Sequence, residues 1–302
     1  MRHFLTINDL SKEELHELLE DAITMKQEVK DGIPHPHLAG QTLGMIFEKS
    51  STRTRVSFEV GMYQLGGHAL FLSANDIQLG RGETVADTAK VMSRYVDGMM
   101  IRTFGHAKIE EFAANATVPI INGLTNEHHP TQVLADLMTI KEHKGELKGL
   151  KVAFIGDGNN NMTHSLIQGA VNADMSIIVA SPKGYEPDQD IVDEAATEGS
   201  VSFTYDPKEA VKDADIIITD VWASMGDEAE IETRLQTFKD YQVNSDLVDY
   251  AQRDYLFLHC LPAHRGEEVT ADIIDGPHSV VFDEAENRLH AQKALLKKLL
   301  KK

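Results

Sequence analysis

The stretch "TLGMIFEKSSTRTRVSFE", residues 42–59, shows most directly how this chain folds. It opens with a nearly continuous apolar run over residues 42–47, which is typical of a strand buried on both faces of a parallel sheet. The serine and threonine residues that follow favour a helix N-terminus, and the apolar spacing after them predicts a helix. The stretch therefore predicts a strand followed by a helix, which is the repeating unit of an α/β protein.

Arg53 and Arg55 fall in the first turn of this predicted helix, where the backbone dipole is already positive. A cation at this position is unfavourable by ~0.3–1 kcal/mol. Helix N-terminal amides bind oxyanions, however, and arginine adds planar donors that suit phosphate. A solvated, capped helix start would explain the hydroxyl residues but not the arginines. We therefore expect a phosphate-binding loop, although not a P-loop, because the GxxxxGK(S/T) pattern is absent.

Short apolar runs alternate with helical patterns along nearly the whole chain. This alternation predicts an α/β fold with two doubly wound domains that contain parallel sheets and are joined by bridging helices. The predicted strands are residues 42–47, 68–73, 98–103, 118–123, 151–156, 176–181, 201–206, 215–220, 255–260 and 279–283.

A polar segment with two glycines, residues 141–151, marks the predicted boundary between the domains. It follows a helix predicted from Pro130 to about His143, and proline is favoured at the first helical position. We expect one domain over residues 1–144 and a second over residues 150–284. An amphipathic helix is predicted for the C-terminal residues 285–302.

Composition limits the classes of function. The chain has 302 residues, a formal net charge of −19 and a single cysteine, Cys260. A surface this negative repels nucleic acid and anionic membranes, and an anionic ligand would need a locally positive pocket. One cysteine excludes a disulfide within the chain and disfavours a metal site built from cysteines. The sequence shows no secretion signal and no apolar run long enough for a bilayer, so we expect a cytoplasmic protein.

Polar motifs follow one predicted strand after another. Arg102 ends one strand, and "NGLTNEHHPTQ", "GDGNNN", "DVWASMG" and "HCLPAHRG" follow others. In open α/β sheets, ligands bind in the crevice beyond the carboxyl ends of the strands. The sequence therefore predicts a ligand-binding cleft to which both domains contribute.

Three of these motifs also allow other interpretations. "GDGNNN" suggests a nicotinamide-dependent dehydrogenase, but Asn161 replaces the third glycine, and the next strand ends without an acidic residue. A histidine such as His129 is more often structural, but its place beside Gln132 at a strand-to-helix junction favours a functional role. Metal binding is disfavoured, because no second histidine or carboxylate lies nearby at helical ligand spacing. Cys260 fits either a buried apolar residue or a nucleophile, and the sequence shows no base for a nucleophile.

Taken together, "SSTRTR", "HHPTQ", "DVWASMG" and "HCLP" resemble the motifs of the aspartate/ornithine carbamoyltransferase family, in family order and over nearly the full chain. The last two resemble the ornithine-specific members, because members specific for aspartate or putrescine lack "SMG". The resemblance implies that the first domain binds carbamoyl phosphate, the second binds L-ornithine, and the C-terminal helix packs back on the first. It implies transfer of the carbamoyl group to the δ-amine, giving L-citrulline and phosphate in arginine metabolism. It also implies a homotrimer or a multiple of trimers with active sites at subunit interfaces, and no metal or organic cofactor.

The resemblance also implies roles for individual residues. Carbamoyl phosphate would be bound by Ser51, Thr52, Arg53, Thr54, Gln78, Arg102, His129, Gln132, Cys260, Leu261 and Arg288. Gln78 would be supplied to this site by a neighbouring subunit. Ornithine would be bound by Asn161, Asp220, Ser224 and Met225. The residues expected to take part in catalysis are Arg102, His129 and Cys260.

The implied mechanism is direct attack of the neutral δ-amine on the carbonyl carbon of carbamoyl phosphate. Such a reaction needs a site that neutralises the leaving phosphate and polarises the carbonyl oxygen. Cys260 would position the amine rather than act as a nucleophile. Closure of two domains over the substrates would exclude water. A non-catalytic two-domain binding protein or amino-acid sensor is the remaining alternative, because it needs a closing cleft but no carbonyl-polarising set.

Overall fold

The computed structural model describes residues 3–74, 76–79, 82–223 and 230–301 of the chain. The chain divides into two compact units. Unit 1 contains Met1–Met138 and Glu286–Lys302, and unit 2 contains Thr139–Ala285. The chain therefore passes from one unit to the other within two helices, α5 (Pro130–Lys144) and α12 (Val281–Leu300).

Unit 1 is built on a parallel four-stranded sheet with the strand order β2-β1-β3-β4. The two central strands, β1 and β3, end at Phe47 and Arg102, which are register partners. The elements of this unit that precede α5 are α1 (Lys12–Lys30), β1 (Thr42–Phe47), α2 (Thr52–Gln64), β2 (His68–Ser73), α3 (Val85–Met92), β3 (Gly98–Arg102), α4 (His106–Asn115) and β4 (Ile120–Leu124).

Unit 2 is built on a parallel five-stranded sheet with the order β7-β6-β5-β8-β9. The direction in which strands are added reverses beside β5, and such a reversal opens a crevice at the carboxyl ends of the strands. The elements are β5 (Lys151–Ile155), α6 (Asn161–Asn172), β6 (Ser176–Ala180), α7 (Gln189–Ala196), β7 (Ser200–Thr204), α8 (Pro207–Val211), β8 (Ile216–Thr219), α9 (Ile231–Phe238), α10 (Ser245–Val248), β9 (Leu256–His259) and α11 (Ala271–Ile274).

The expected α/β class with two parallel sheets flanked by helices is confirmed. Nine of the ten predicted strands are present, but the strand predicted at residues 279–283 is wrong. Only Ser279 pairs there, with Phe257, and helix α12 begins at Val281. A short apolar run does not distinguish a strand from a buried helix segment, and Asp283 and Glu284 in the first turn suit the helix dipole. In the described ranges, every helix is too short or too polar to cross a bilayer.

Strand β2 is much more exposed than its apolar sequence predicts. It lies at the edge of its sheet, and Leu70 and Phe71 are 38% and 37% exposed. Helix α2, which packs against β2, exposes Val56, Val60 and Tyr63 at helical spacing, with Tyr63 81% exposed. Unit 1 therefore presents apolar side chains on a neighbouring strand and helix, a pattern found at protein interfaces.

Buried polar side chains hold α12 against α1 and α2. Lys293 Nζ donates to Gln64 Oε1 at 2.9 Å and lies 3.1 Å from His35 Nε2. Lys26 Nζ donates to Asn287 Oδ1 at 2.8 Å. Burial lowers the pKa of Lys293 to about 8. Because a buried amine needs hydrogen-bond partners, these contacts fix how α12 packs on the other two helices.

His290 on α12 makes stability depend on pH. It is only 2% exposed, and burial, followed by the charges of Lys293 and Lys26, lowers its pKa to about 3. The unfolded chain takes up a proton here below its ordinary pKa of 6.5, whereas the folded chain does not, so the free energy of unfolding falls as the pH falls from 6.5 towards 3. Between pH 7 and pH 5 we expect wild type to lose about 2 kcal/mol more than His290→Gln. Urea unfolding at the two pH values measures this, and equal losses would contradict the assignment.

Candidate active site

The N-terminus of α2 is capped by hydroxyl groups. Ser51 is the N-cap residue; its Oγ accepts from the Thr54 N–H at 3.2 Å and donates to Thr54 Oγ1 at 3.0 Å. Thr52 is the first helical residue, and the first turn contains no acidic side chain. Backbone amides at a helix start lack partners within the helix, so this end of α2 is suited to an anion.

The two arginines of this turn lie in different environments. Arg55 points along the helix surface, where its Nε donates to Glu59 Oε1 at 3.0 Å and its guanidinium lies 3.7 Å from the centroid of the Phe71 ring. Arg53 is half-buried and lies close enough to His129 for its charge to lower the pKa of that histidine. Arg53 is therefore the arginine of this turn whose charge acts on the buried His129.

Arg288 connects the first turn of α2 with α5. Its Nη2 donates to Thr54 Oγ1 at 3.0 Å and its Nη1 donates to Gln132 Oε1 at 2.7 Å. Gln132 Nε2 in turn donates to Asp136 Oδ1 at 2.9 Å, and all four side chains are buried. Three residues that come from distant sequence motifs are thus in direct contact. Asp136 was not predicted, although its position one helical turn after Gln132 is a signal for such a pair.

His129 lies buried near three guanidinium groups. Burial and then the charges of Arg288, Arg102 and Arg53 hold its pKa well below the usual range, so its imidazole is neutral at pH 7. A neutral imidazole can donate a hydrogen bond without adding a fourth positive charge. This part of unit 1 is suited to an anion and to an oxygen that gains negative charge during a reaction.

A cavity of ≈ 370 Å³ opens beside the start of α2. It is lined by Phe47, Glu48, Ser50, Ser51, Thr52, Arg55, Phe71 and Ser73. Gln78 lies in the segment between β2 and α3, where its side chain is exposed. The role predicted for Gln78 in a neighbouring subunit stays a prediction.

In unit 2, the carboxylate of Asp220 lies at the carboxyl ends of two adjacent strands. Asp220 follows β8, and Cys260 follows β9. The Cys260 thiol donates to Asp220 Oδ1 at 3.2 Å, and the Val221 N–H donates to the same oxygen at 2.8 Å. Burial raises the pKa of Asp220, and these hydrogen bonds, together with His259, oppose the rise. A ligand ammonium would supply the countercharge that favours the carboxylate.

His259 and Glu268 support the backbone beside this carboxylate, and sequence reasoning missed both. The Leu261 N–H donates to His259 Nδ1 at 2.9 Å, so the ring proton is on Nε2, which faces Glu268 Oε1 at 3.2 Å. Leu261 has φ +55, a left-handed conformation that costs roughly 1–2 kcal/mol in a residue other than glycine. No local sequence signal indicates this pairing, because it depends on that turn.

The cluster of Asp220, His259 and Cys260 in unit 2 does not offer an available imidazole to a metal ion. Ligand atoms of Asp220, His259 and Cys260 lie within 4.8 Å of one another. Both ring nitrogens of His259 are already engaged, however, one as an acceptor from Leu261 and the other facing Glu268. As folded, the cluster therefore offers no imidazole lone pair to an ion.

The "GDGNNN" turn is filled by the protein's own chain. The Gly158 N–H donates to the Tyr185 carbonyl at 2.9 Å, and a Cβ at Gly158 would lie 2.6 Å from both that oxygen and Ser181 Oγ. The backbone where a dinucleotide pyrophosphate would approach is therefore covered. Asn160 caps α6 by accepting from the Thr163 N–H at 2.9 Å, and Asn161 is the first residue of that helix.

The remaining predicted ligand residues, Ser224 and Met225, lie outside the described residues. Their assignment to ornithine stays a prediction. Trp222 precedes them and is buried, with its ring stacked on Phe238 at a centroid distance of 6.0 Å.

Two consecutive parts of the chain match the two domains of one enzyme family. Residues 2–142 match "Aspartate/ornithine carbamoyltransferase, carbamoyl-P binding domain", and residues 148–299 match "Aspartate/ornithine carbamoyltransferase, Asp/Orn binding domain". The chain belongs to the aspartate/ornithine carbamoyltransferase family.

Individual members of the family are similar over nearly their full length. The ornithine carbamoyltransferase of Carboxydothermus hydrogenoformans is 60% identical, with 99% of this chain and 97% of the relative covered. That of Bacillus subtilis is 61% identical, with 100% and 94% covered. The solved structure of ornithine carbamoyltransferase from Pyrococcus furiosus superposes with a TM-score of 0.95 at 56% identity, covering 99% and 97% of the two chains.

The covered Gly158 turn predicts that this protein does not bind NADH. Trp222, the single tryptophan, follows β8 in the same sheet and serves as a reporter. We expect no saturable quenching of its emission, and no energy transfer to the nicotinamide, during titration with NADH. Free tryptophan corrects for absorption by the ligand. Saturable quenching at micromolar NADH would show that the turn opens to a dinucleotide.

Proposed function

We propose that this protein transfers the carbamoyl group of carbamoyl phosphate to the δ-amine of L-ornithine, giving L-citrulline and phosphate in arginine metabolism. The observation that carries the proposal is the grouping of Arg53, Arg102 and Arg288 around a neutral, buried His129. This arrangement suits an anionic substrate whose carbonyl oxygen gains charge during the reaction. Family membership supports carbamoyl transfer, and the names of the full-length relatives support ornithine as the acceptor.

In the proposed complex, the start of α2 holds the phosphate group. The backbone amides of the first turn, the hydroxyls of Ser51, Thr52 and Thr54, and the guanidinium of Arg53 supply donors. Their partial and full positive charges also stabilise phosphate as it leaves. Gln78 of a neighbouring subunit would add a further donor to this group.

The carbonyl of carbamoyl phosphate would lie against Arg102 and His129, with Thr54 nearby. Attack by the amine forms the C–N bond and converts the carbonyl oxygen into an oxyanion, which donors placed in advance stabilise without further reorganisation. The C–O bond to phosphate then breaks, and the leaving phosphate takes up the proton that the nitrogen loses. A single such donor contributes roughly 100-fold or more to the rate. Gln132, Arg288, Cys260 and Leu261 complete the proposed contacts to this substrate.

Ornithine would be bound by unit 2. Asp220, whose pKa is raised by burial, gains a countercharge when the ammonium end of ornithine binds. Asn161, Ser224 and Met225 would contact the rest of the amino acid. The Cys260 thiol, which donates to Asp220, would position the amine, and the δ-amine itself is the nucleophile.

A citrulline assay tests this function directly. The purified protein is incubated with carbamoyl phosphate and, in parallel, with L-ornithine, putrescine or L-aspartate, and the carbamoylated products are quantified. We propose that turnover depends on ornithine and that the other amines give at most a trace. If carbamoyl aspartate or carbamoyl putrescine were the main product, the acceptor would be aspartate or putrescine rather than ornithine. If no product formed, the proposed transferase activity would be refuted.

We also propose a homotrimer or a multiple of trimers, in the cytoplasm. The exposed apolar side chains of β2 and α2, including Phe71 and Tyr63, support an interface between subunits, because surfaces of this kind are usually covered in an assembly. Cell fractionation tests the location.

The oligomer proposal predicts the effect of a charge on this surface. Wild type is expected to have the mass of three chains of 33.5 kDa, or a multiple of it, in light scattering after gel filtration. Val60→Asp combined with Tyr63→Asp should lower the mass to that of a single chain, because burying two carboxylates opposes association. Tyr250→Asp, at a side chain of unit 2 that is 45% exposed, is the matched control. An unchanged mass in the double variant would place the interface elsewhere.

The phosphate assignment predicts unequal effects of the two arginines. Arg53→Ala should lower kcat/KM for carbamoyl phosphate by about 100-fold or more, because it removes a cation from the leaving phosphate. Arg55→Ala should lower it less than about tenfold, since that guanidinium is engaged with Glu59 and Phe71. Circular dichroism and thermal melting check that both variants fold. Near-normal turnover in Arg53→Ala would refute the assignment.

A further inference from the structure

Gln292 lies one helical turn after Arg288 on α12 and is fully buried. Neither the sequence motifs nor the proposed mechanism gives it a role. Its side-chain amide lies between two groups of unit 1, the Arg288 guanidinium and the hydroxyl of Ser57 on α2.

Ser57 determines which way the Gln292 amide points. The Ser57 hydroxyl donates its proton to the Thr54 carbonyl at 3.2 Å, so its oxygen is left to accept. We therefore assign the Gln292 amide nitrogen to the position 2.6 Å from that oxygen, where it can donate, and the amide oxygen to the side that faces Arg288. In this orientation the amide oxygen accepts from both Nε and Nη2 of Arg288 at 3.3 Å.

Acceptors on three neighbouring side chains fix the plane of the Arg288 guanidinium. The Gln292 amide oxygen accepts from Nε and Nη2, along one edge of the guanidinium. Thr54 Oγ1 accepts from Nη2, and Gln132 Oε1 accepts from Nη1. A guanidinium is planar, so an acceptor on one edge sets where its other N–H groups point. Without the Gln292 oxygen, rotation about the last side-chain torsion of Arg288 would be less restricted.

We propose that Gln292 is a positioning residue for carbamoyl phosphate. It orients Arg288 towards the start of α2, and its bond to Ser57 links that orientation to the second turn of the same helix. This inference rests on the proposed function, because it assigns the effect to the substrate that Arg288 is proposed to contact. Gln292 itself does not touch the reacting atoms in this proposal.

Another glutamine on the same helix pair provides a matched control. Gln64, the last residue of α2, accepts from Lys293 of α12 at 2.9 Å. Gln64→Leu and Gln292→Leu therefore make the same chemical change in hydrogen bonds between the same two helices. Only Gln292 contacts Arg288 among these two glutamines.

The first test compares steady-state kinetics of the two leucine variants. Gln292→Leu is expected to raise KM for carbamoyl phosphate about tenfold, the effect of losing one hydrogen bond to a charged group. Its KM for ornithine should stay within twofold of wild type and its kcat within threefold. Gln64→Leu should lower the melting temperature by a similar amount while both KM values stay within twofold.

The second test uses Gln292→Glu, which keeps the length and shape of the side chain. Its carboxylate faces Arg288 and compensates the positive charge that would otherwise act on the substrate. We therefore expect a melting temperature at least as high as that of Gln292→Leu, but a larger rise in KM for carbamoyl phosphate. A residue that only packs would tolerate this change, so the opposite effects on stability and on KM distinguish positioning from packing. If Gln292→Leu does not fold, the KM of Gln292→Glu for carbamoyl phosphate tests the proposal.

Calorimetric titration with carbamoyl phosphate in the absence of ornithine measures the dissociation constant of each variant relative to wild type, without turnover. Wild type that binds carbamoyl phosphate but forms no citrulline would refute the proposed function, while the ratio of dissociation constants would still decide the role of Gln292. Affinity for carbamoyl phosphate within twofold of wild type in both folded Gln292 variants would overturn the inference. A tenfold or greater loss, confined to the Gln292 variants, supports it.

Discussion

The gathering of positive charge in the interior of unit 1 is the constraint on which the rest of this structure depends. Arg53, Arg102 and Arg288 all lie near enough to the buried His129 to lower its pKa. Buried charges of one sign are unfavourable unless they are paired or hydrogen-bonded. For Arg288 the hydrogen bonds to Thr54 and Gln132 end on neutral oxygens, so they satisfy its N–H groups without cancelling its charge. The three guanidinium groups therefore make this part of unit 1 locally positive, in a chain whose formal net charge is −19.

Unit 2 has the opposite imbalance. Asp220 is buried, and its pKa is raised, although the Cys260 thiol and the Val221 amide both donate to its carboxylate. These donors oppose the effect of burial only in part, because neither carries a full countercharge. One unit thus favours an anion and the other favours a cation. That pairing of preferences fits a reaction between an acyl phosphate and a diamino acid.

The parts of this structure that could be predicted from the sequence are those with local signals. The apolar runs of β1 and β3, and the hydroxyl cap of α2 at Ser51, follow from short patterns. The run at 279–283 misled because a few apolar residues fit a helix start as well as a strand. The exposure of β2 was not predictable, since an edge strand and a central strand can have the same apolar sequence pattern, and only the strand order distinguishes them. For the candidate site, the motifs identify residue types, whereas the His259–Glu268 pair depends on the backbone turn at Leu261.

The position of Arg288 shows how a residue of the C-terminal helix α12 contributes to the candidate site. It lies 234 residues from Thr54 in sequence, yet the two side chains are hydrogen-bonded in the interior of unit 1. A guanidinium has five N–H donors, so it can be held by protein acceptors on some of them and contact a substrate with others. A lysine at this position would offer one flexible point charge. It could contact either the protein acceptors or a substrate, but it could not be oriented for both at once. The requirement for a cation in a fixed orientation therefore explains both the choice of arginine and the need for a rigid helix to present it. Since Lys293 and Asn287 hold that helix by buried contacts with Gln64 and Lys26, the packing of α12 and the charge of the site depend on each other.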